Sequence, residues 1–325
     1  MREVTFAEAL AEGLMEALEA DPRVVLFGAG YGGLTQYRAA YNGLRQRFKD
    51  RVQDLPISEL GYCGVATGAA MTGLRPIVAV GTGSFSLEAF PQILNEAAIA
   101  CYGSDGQVNV PVVFHMMAGI RGAGAVQHSA SPQAMFWNSP GLQLAAPGSP
   151  ADAKGLMKTA ALLSKNPTIF IDHGRLQGVR GPVPEGDGFV PFGRAEVKRT
   201  GRDATVVATS VMVPRALEAA QRLEREDGIS AEVVAPRTLV PLDKDAILAS
   251  VARTGRAVVA DETQRSCGIA AEIAALIADE GFRSLKAPVK RVAIPDVPIP
   301  YAESEEDYIT PTTEKIMAAV RSVCR

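Results

Sequence analysis

A chain of 325 residues has room for two domains of about 150 residues each. With 47% hydrophobic and 21% charged residues it reads as ordinary globular material, and a net charge of −3 gives no electrostatic reason to expect nucleic acid or an anionic membrane as a partner. No apolar run reaches the roughly 18 residues a bilayer span needs, and the four cysteines (Cys63, Cys101, Cys267, Cys324) show no metal-like spacing.

The opening segment, "MREVTFAEALAEGLMEALEA", has the pattern of an amphipathic helix and no secretory signal, which suggests a cytoplasmic protein. Strand-like runs follow at 24–30, 75–81, 110–116 and 167–172, with helix patterns between them at 59–73, 87–102 and 150–164. This alternation predicts a doubly wound α/β domain, a parallel sheet with helices on both faces. The Gly- and Pro-rich segment 174–194 has no sustained period and reads as a linker, giving domains at 1–175 and 201–325 joined over 176–200. The second domain repeats the alternation. Strands are expected at 204–210, 231–237, 256–262 and 289–295, and helices at 213–226, 244–254 and 269–281.

Two glycine-rich stretches imitate cofactor motifs. "GAGYGG" (28–33) follows a strand, but it lacks the GxGxxG spacing, a good helix after it and an acid closing a second strand, so a turn is the better reading. "EGDGF" (185–189) looks like the start of a diphosphate–magnesium motif, yet no asparagine follows where a hard cation would need oxygen ligands. It reads as linker, and no metal ligands are assigned.

The stretch "LPISELGYCGVATGAAMTG" places Glu59 at the head of a small, apolar helix. Ser58 is a candidate N-cap, and a carboxylate in the first turn gains about 0.3–1 kcal/mol from the helix dipole. Gly61, Gly64 and Gly68 share a face on which another backbone can approach. Beside that structural role stands a functional one: a carboxylate in a dry cleft has a raised pKa and can share a proton with a ligand nitrogen.

"LPISELGYCGVATGAAMTGLRPIVAV" resembles the segment that marks the β subunits of thiamine diphosphate-dependent 2-oxoacid dehydrogenases. The resemblance runs from "TFAEALAEGLMEALEADPRVVLFG" to "IPDVPIPYAESEEDYITPTTEKIMAAV", nearly the whole chain. "VVADETQRSCGIAAEIAALIADEGF" is most similar to acetoin dehydrogenase β subunits. The fold it implies is an N-terminal pyrimidine-binding domain followed by a transketolase-C-terminal-like α/β domain.

The resemblance also implies a division of labour. The β subunit binds the pyrimidine half of thiamine diphosphate, while a separate α subunit, in an α2β2 heterotetramer, holds the diphosphate and Mg2+. Glu59 matches the glutamate that hydrogen-bonds the pyrimidine nitrogen and sets the cofactor's tautomer. Phe85 matches the aromatic stacked on that ring, Ile57 an apolar neighbour of it, and Glu88 a position that carries an acid in some relatives. His128 matches a histidine facing the substrate, where imidazole suits proton transfer. His115 and His173 read as strand-end residues without an assigned role. Some relatives hold a structural K+ on backbone carbonyls, which leave no side-chain signature.

The chain departs from the family pattern at Ala29, where an acid is common, and at Ala130 after "QHS". It is also thinned at Ala79, Gly81 and Gly83, which predicts less bulk beside the cofactor and a larger acceptor space. The expected activity is decarboxylation of a 2-oxoacid, or cleavage of acetoin, with transfer to a lipoyl acyltransferase. The alternatives are an acyloin-forming carboligase and a non-catalytic assembly subunit. A split transketolase or sugar-phosphate synthase is disfavoured, because those sequences generally have a "GIAEQ"-like segment where this chain has "PISELG".

Overall fold

The structure, a computed structural model, describes residues 1–28, 38–186 and 188–325. The chain divides into two compact units, residues 1–119 with 127–192 and residues 120–126 with 193–325.

The first unit opens on strand β1 (Arg2–Thr5), and helix α1 (Phe6–Ala20) begins only after it. The amphipathic pattern runs from the first residue, but Thr5 stops it. Its hydroxyl accepts from the Glu8 backbone N–H at 3.2 Å, and the Glu8 carboxylate accepts from Thr5 N–H at 2.7 Å. This capping box fixes the helix start. Phe6, Leu10, Leu14 and Leu18 recur every four residues and are all buried. Each contributes about 1.5–3 kcal/mol of burial to the stripe that holds α1.

Next come β2 (Val24–Gly28), α2 (Arg38–Arg47), β3 (Val52–Asp54), α3 (Glu59–Met71) and β4 (Arg75–Thr82). After β4 the expected helix at 87–102 is broken into a 3-10 turn (Gly83–Ala89), a π turn (Gln92–Ala97) and α4 (Ala98–Gly103). Pro91 stands at the break and has no N–H to carry a regular helix across it. Strand β5 runs over Val113–Ala118, three residues later than the expected 110, because Pro111 cannot donate to the ladder. Short helices α5 (Ala125–His128) and α6 (Gln133–Trp137) follow, then β6 (Gln143–Ala145), α7 (Pro150–Lys158) and β7 (Thr168–His173). Helix α7 passes into a π turn, Thr159–Leu163, so the expected helix at 150–164 is regular only in its first part.

The strands of the first unit lie in the order β6-β7-β5-β4-β2-β3, all parallel. The central strands β4, β5 and β7 are buried on both faces and needed the continuous apolar runs the sequence shows. Arg75, buried at the start of β4, donates to the carbonyls of Ala161 and Ser164. Its charge sits where the helix C-terminus gathers partial negative charge. The segment read as linker is partly ordered into structure. It holds a 3-10 turn (Gly174–Leu176) and β8 (Arg180–Val183), which pairs antiparallel with β1.

In the second unit β9 (Glu196–Arg199), also inside the stretch read as linker, precedes β10 (Ala204–Ala208), α8 (Met212–Asp227), β11 (Ala231–Ala235) and the short β12 (Thr238–Val240). Then come α9 (Lys244–Thr254), β13 (Ala257–Gln264), α10 (Ile269–Glu280), β14 (Lys290–Ile294), α11 (Glu303–Ile309) and α12 (Thr313–Cys324). Its sheet has the order β14-β13-β10-β11-β9, parallel except at the β11–β9 edge. Among the described residues no helix is long and apolar enough to cross a membrane.

Candidate active site

In the first sheet the chain passes from β2 outward to β3, then returns to β4 on the other side of β2 and continues to β5. The winding direction reverses between β2 and β4. In open parallel sheets ligands bind at such a reversal, outside the carboxyl ends of the strands. Glu59 follows the carboxyl end of β3, Phe85 that of β4, and His128 that of β5.

Glu59 is the first residue of α3. The Ser58 hydroxyl caps the helix by accepting from Gly61 N–H at 3.3 Å, so the Glu59 carboxylate is not spent on the cap and instead interacts with the Tyr62 hydroxyl one turn along. Glu59 is half-buried, short of the dry cleft the sequence suggested. Its charge is felt one turn along. Burial, and then the Glu59 carboxylate, push the Tyr62 phenol well above its usual range and the Cys63 thiol up to about 12. Cys63 is therefore an inert buried thiol. The Tyr62 hydroxyl reaches the Val80 carbonyl of β4 at 3.4 Å, tying α3 to the neighbouring strand. Ile57, just before the cap, is 81% exposed.

The 3-10 turn after β4 carries Phe85 and Glu88 and packs against α3. Phe85 is half-buried and Glu88 exposed. The Phe85 ring meets the His128 imidazole edge-on, with centroids 5.6 Å apart at 71°. That geometry suits the aromatic quadrupole and adds about 0.5–1.5 kcal/mol. His128 is exposed at the end of α5. Of the sequence-identified residues, Phe85 and His128 touch. Glu59 enters from α3, which packs on the turn bearing Phe85, while Ile57 and Glu88 face outward.

The α3 glycines admit no neighbouring backbone within the described chain. On α3, a Cβ at Gly61 would meet its own cap, Ser58 Oγ, at 2.8 Å, one at Gly64 would make an ordinary contact with Gln92, and one at Gly68 would meet nothing. No backbone of the described chain uses that face, and Leu60 and Val65 on the same helix are more than half exposed. Gly83 does not open space either. A Cβ there would lie 2.8 Å from Pro132 Cδ and 3.0 Å from the Ala130 carbonyl oxygen, so the loop after His128 already fills the room that the thinned sequence seemed to leave. Gly28 has φ +125° and its Cβ would lie 2.5 Å from the Ala79 carbonyl oxygen, which only glycine tolerates. The rest of "GAGYGG", including Ala29, lies outside the described residues, as does Asp187 of "EGDGF".

The other two histidines are buried parts of the sheet. His115 Nε2 lies 3.0 Å from Asp172 Oδ2, and His173 Nδ1 accepts from Arg175 N–H at 3.1 Å. Thr82 and Ser84 were missed by sequence reasoning. Both hydroxyls reach the Gln127 carbonyl, immediately before His128, a contact between residues more than forty positions apart with no local sequence signal.

The donor set suits the pyrimidine end of thiamine diphosphate. It offers a half-buried carboxylate for a ring nitrogen, with an aromatic face on the turn packed against the same helix. Among the described residues no three His, Cys, Asp or Glu side chains are grouped to hold a metal ion.

Comparison with known proteins identifies the family. The family model of the transketolase pyrimidine-binding domain matches residues 2–177, and that of the transketolase C-terminal domain matches residues 193–316. The β-1 subunit of the mitochondrial pyruvate dehydrogenase E1 component of Arabidopsis thaliana is 40% identical over 331 residues, covering 99% of this chain and 90% of the relative. The acetoin:2,6-dichlorophenolindophenol oxidoreductase β subunit of Cupriavidus necator is 39% identical over 334 residues, 100% of this chain and 98% of the relative. The 2-oxoisovalerate dehydrogenase β subunit of Bacillus subtilis is 39% identical over 326 residues, 99% of each. A solved structure described as a split-gene transketolase, an inactive beta4 tetramer, is similar with a TM-score of 0.78 at 26% identity, covering 99% of this chain and 98% of that one. With both domain types in order and similarity along its whole length, the chain belongs to the family of β subunits of thiamine diphosphate-dependent 2-oxoacid and acetoin dehydrogenases.

Proposed function

We propose that this chain is the β subunit of an α2β2 enzyme that decarboxylates a 2-oxoacid, or cleaves acetoin, and passes the product unit to the lipoyl group of a partner acyltransferase. The observation that carries the proposal is the placement of Glu59, Phe85 and His128 after the carboxyl ends of three parallel strands, around the winding reversal of one sheet. In this reading Glu59 holds a pyrimidine nitrogen of thiamine diphosphate and fixes the protonation of that ring. Phe85 stacks on the ring, Ile57 covers it, and Glu88 stands at the rim of the turn. When bound, the cofactor supplies the carbon nucleophile for the substrate carbonyl. His128 faces the substrate and gives or takes a proton there.

An α subunit completes the site with the diphosphate and Mg2+ half, and a structural K+ on backbone carbonyls belongs to the same proposal. The exposed apolar side chains of Ile57, Leu60 and Val65 support it, since a partner would cover them. The relatives' printed names, each a subunit beta, support it too. A cytoplasmic location is also proposed, and cell fractionation tests it.

The test is reconstitution with the α subunit, with 2-oxoacids and acetoin as substrates and either lipoamide or an aldehyde as acceptor. Efficient lipoyl acylation supports the dehydrogenase reading. Condensation with the aldehyde in its place supports a carboligase. Turnover with neither, in an assembled tetramer, makes the chain a non-catalytic assembly subunit.

A further inference from the structure

His128 sits at the end of a four-residue helix on an otherwise Gly- and Ala-rich loop, so its own segment does little to hold it. The hydroxyl of Ser129, the next residue, is buried and makes no hydrogen bond. What holds the segment comes from the end of β4. Thr82 Oγ1 donates to the Gln127 carbonyl at 3.3 Å, Ser84 Oγ donates to the same oxygen, and the two hydroxyls lie 3.0 Å apart. Between them, Gly83 admits Ala130 and Pro132 at distances no side chain would allow. Phe85, one residue on, meets the imidazole ring. On the far side, Gly119 N–H donates to the Ala130 carbonyl at 3.3 Å. One tetrapeptide, Thr82 to Phe85, thus touches residues 127, 128, 130 and 132.

We propose that Thr82, Gly83 and Ser84 form a seat that positions His128. The two hydroxyls fix the peptide before the imidazole, and the missing side chain at 83 lets the peptides after it close down on the strand end. Thr82 and Ser84 are positioning residues: they act on the reaction only through His128. The inference rests on the assignment of His128 to the substrate side of the site. It adds a specificity consequence, because a residue larger than glycine at 83 moves the His128 loop and with it the wall of the acceptor space. The glycine at 83 is thus a device for bringing a loop in, where the sequence suggested a device for making room.

The chain has three histidines, of which His115 and His173 are buried, so labelling the imidazole Cε1 carbons with 13C gives a spectrum in which His128 is identified by its loss in His128→Gln. In the full-length chain, Thr82→Val/Ser84→Ala is expected to move and broaden the His128 signal as the edge contact with Phe85 loosens. Thr82→Ser/Ser84→Thr, which keeps both hydroxyls, is expected to restore the parent signal. Gly83→Ala is expected to displace the signal with the hydroxyls intact, so the inference does not hang on one variant. In the reconstituted enzyme the hydroxyl-free variant should lower kcat about 10- to 100-fold, as misplacement by about an ångström does, with thermal unfolding unchanged. A His128 signal unchanged in both Thr82→Val/Ser84→Ala and Gly83→Ala would overturn the seat. If instead His128→Gln retains full kcat, the catalytic role of His128 fails, and the spectra still decide whether the seat exists.

Discussion

Two stretches of this chain look alike in sequence and behave in opposite ways. "PISELGYCGVATGAA" and "VADETQRSCGIAAEIAA" each set acids before a cysteine-containing run of small residues that becomes a helix. In the second unit the acids are consumed by the fold. Asp261, fully buried, accepts from the Thr209 hydroxyl and from the N–H and hydroxyl of Thr263. Glu262 accepts from Ile120 N–H at 2.7 Å and pairs with Arg215 at 3.4 Å. In the first unit Glu59 is half-buried at a helix start, and its cap is made by Ser58 instead. The difference separates buried acids enclosed by several donors of the fold from a half-buried acid that has the Tyr62 hydroxyl beside it and remains partly open to a ligand.

The comparison breaks most visibly at Glu262. Glu262→Ala strands the buried Ile120 N–H and removes the ion-pair partner of Arg215, which keeps the Pro311 carbonyl, and should cost about 3 kcal/mol. Urea unfolding checks this. A loss below about 1 kcal/mol would mean that the acid is not a structural element.

Next in size is an alkaline effect beside Glu59. The folded Cys63 thiol, pushed up to about 12, stands above its unfolded value of about 8.5. A group raised in this way stabilises the fold fully below the unfolded value, and that contribution is lost as pH rises toward the folded one. Between pH 9 and 11 the parent protein should therefore lose about 1.4 kcal/mol per pH unit more than Cys63→Ala. Parallel stability–pH curves for the two would remove the buried, Glu59-flanked thiol from the account.

Phe85→Leu sharpens the comparison from the site's side. Loss of about 1 kcal/mol of ring stacking should weaken apparent cofactor affinity about fivefold, while the lost Phe85–His128 edge contact lowers the unfolding midpoint by no more than about 4 °C. Smallest is Ser58→Ala, expected to cost up to about 1 kcal/mol in unfolding experiments through the lost cap of α3. A further loss of catalysis there would show that the cap also orients Glu59.

Much of the fold could be read from sequence because the central strands of both sheets are buried on both faces and advertise themselves as apolar runs. Ser58 and the run after it gave α3 to within two residues. The pairing of β1 with β8 joins positions about 180 residues apart, and a two-stranded antiparallel ribbon of mixed burial has no period to find. The inclusion of residues 120–126 in the second unit was equally invisible, since it depends on Glu262 and on Glu306, which accepts from Ala123 N–H at 3.2 Å. At the site, individual side chains stood out when their chemistry was odd for their surroundings, as for Glu59 and His128. Thr82 and Ser84 did not, because two hydroxyls at the end of a strand are ordinary until the Gln127 carbonyl arrives between them.

The central claim is that Glu59 is a functional acid and not a structural one. Glu59→Gln in the reconstituted αβ enzyme tests it most directly, with kcat and the thermal unfolding midpoint measured on the same preparation. The account predicts at least a 100-fold loss of kcat, the scale of a lost proton-handling group, with the midpoint within about 1 °C of the parent. Unchanged turnover in the Gln variant would contradict it.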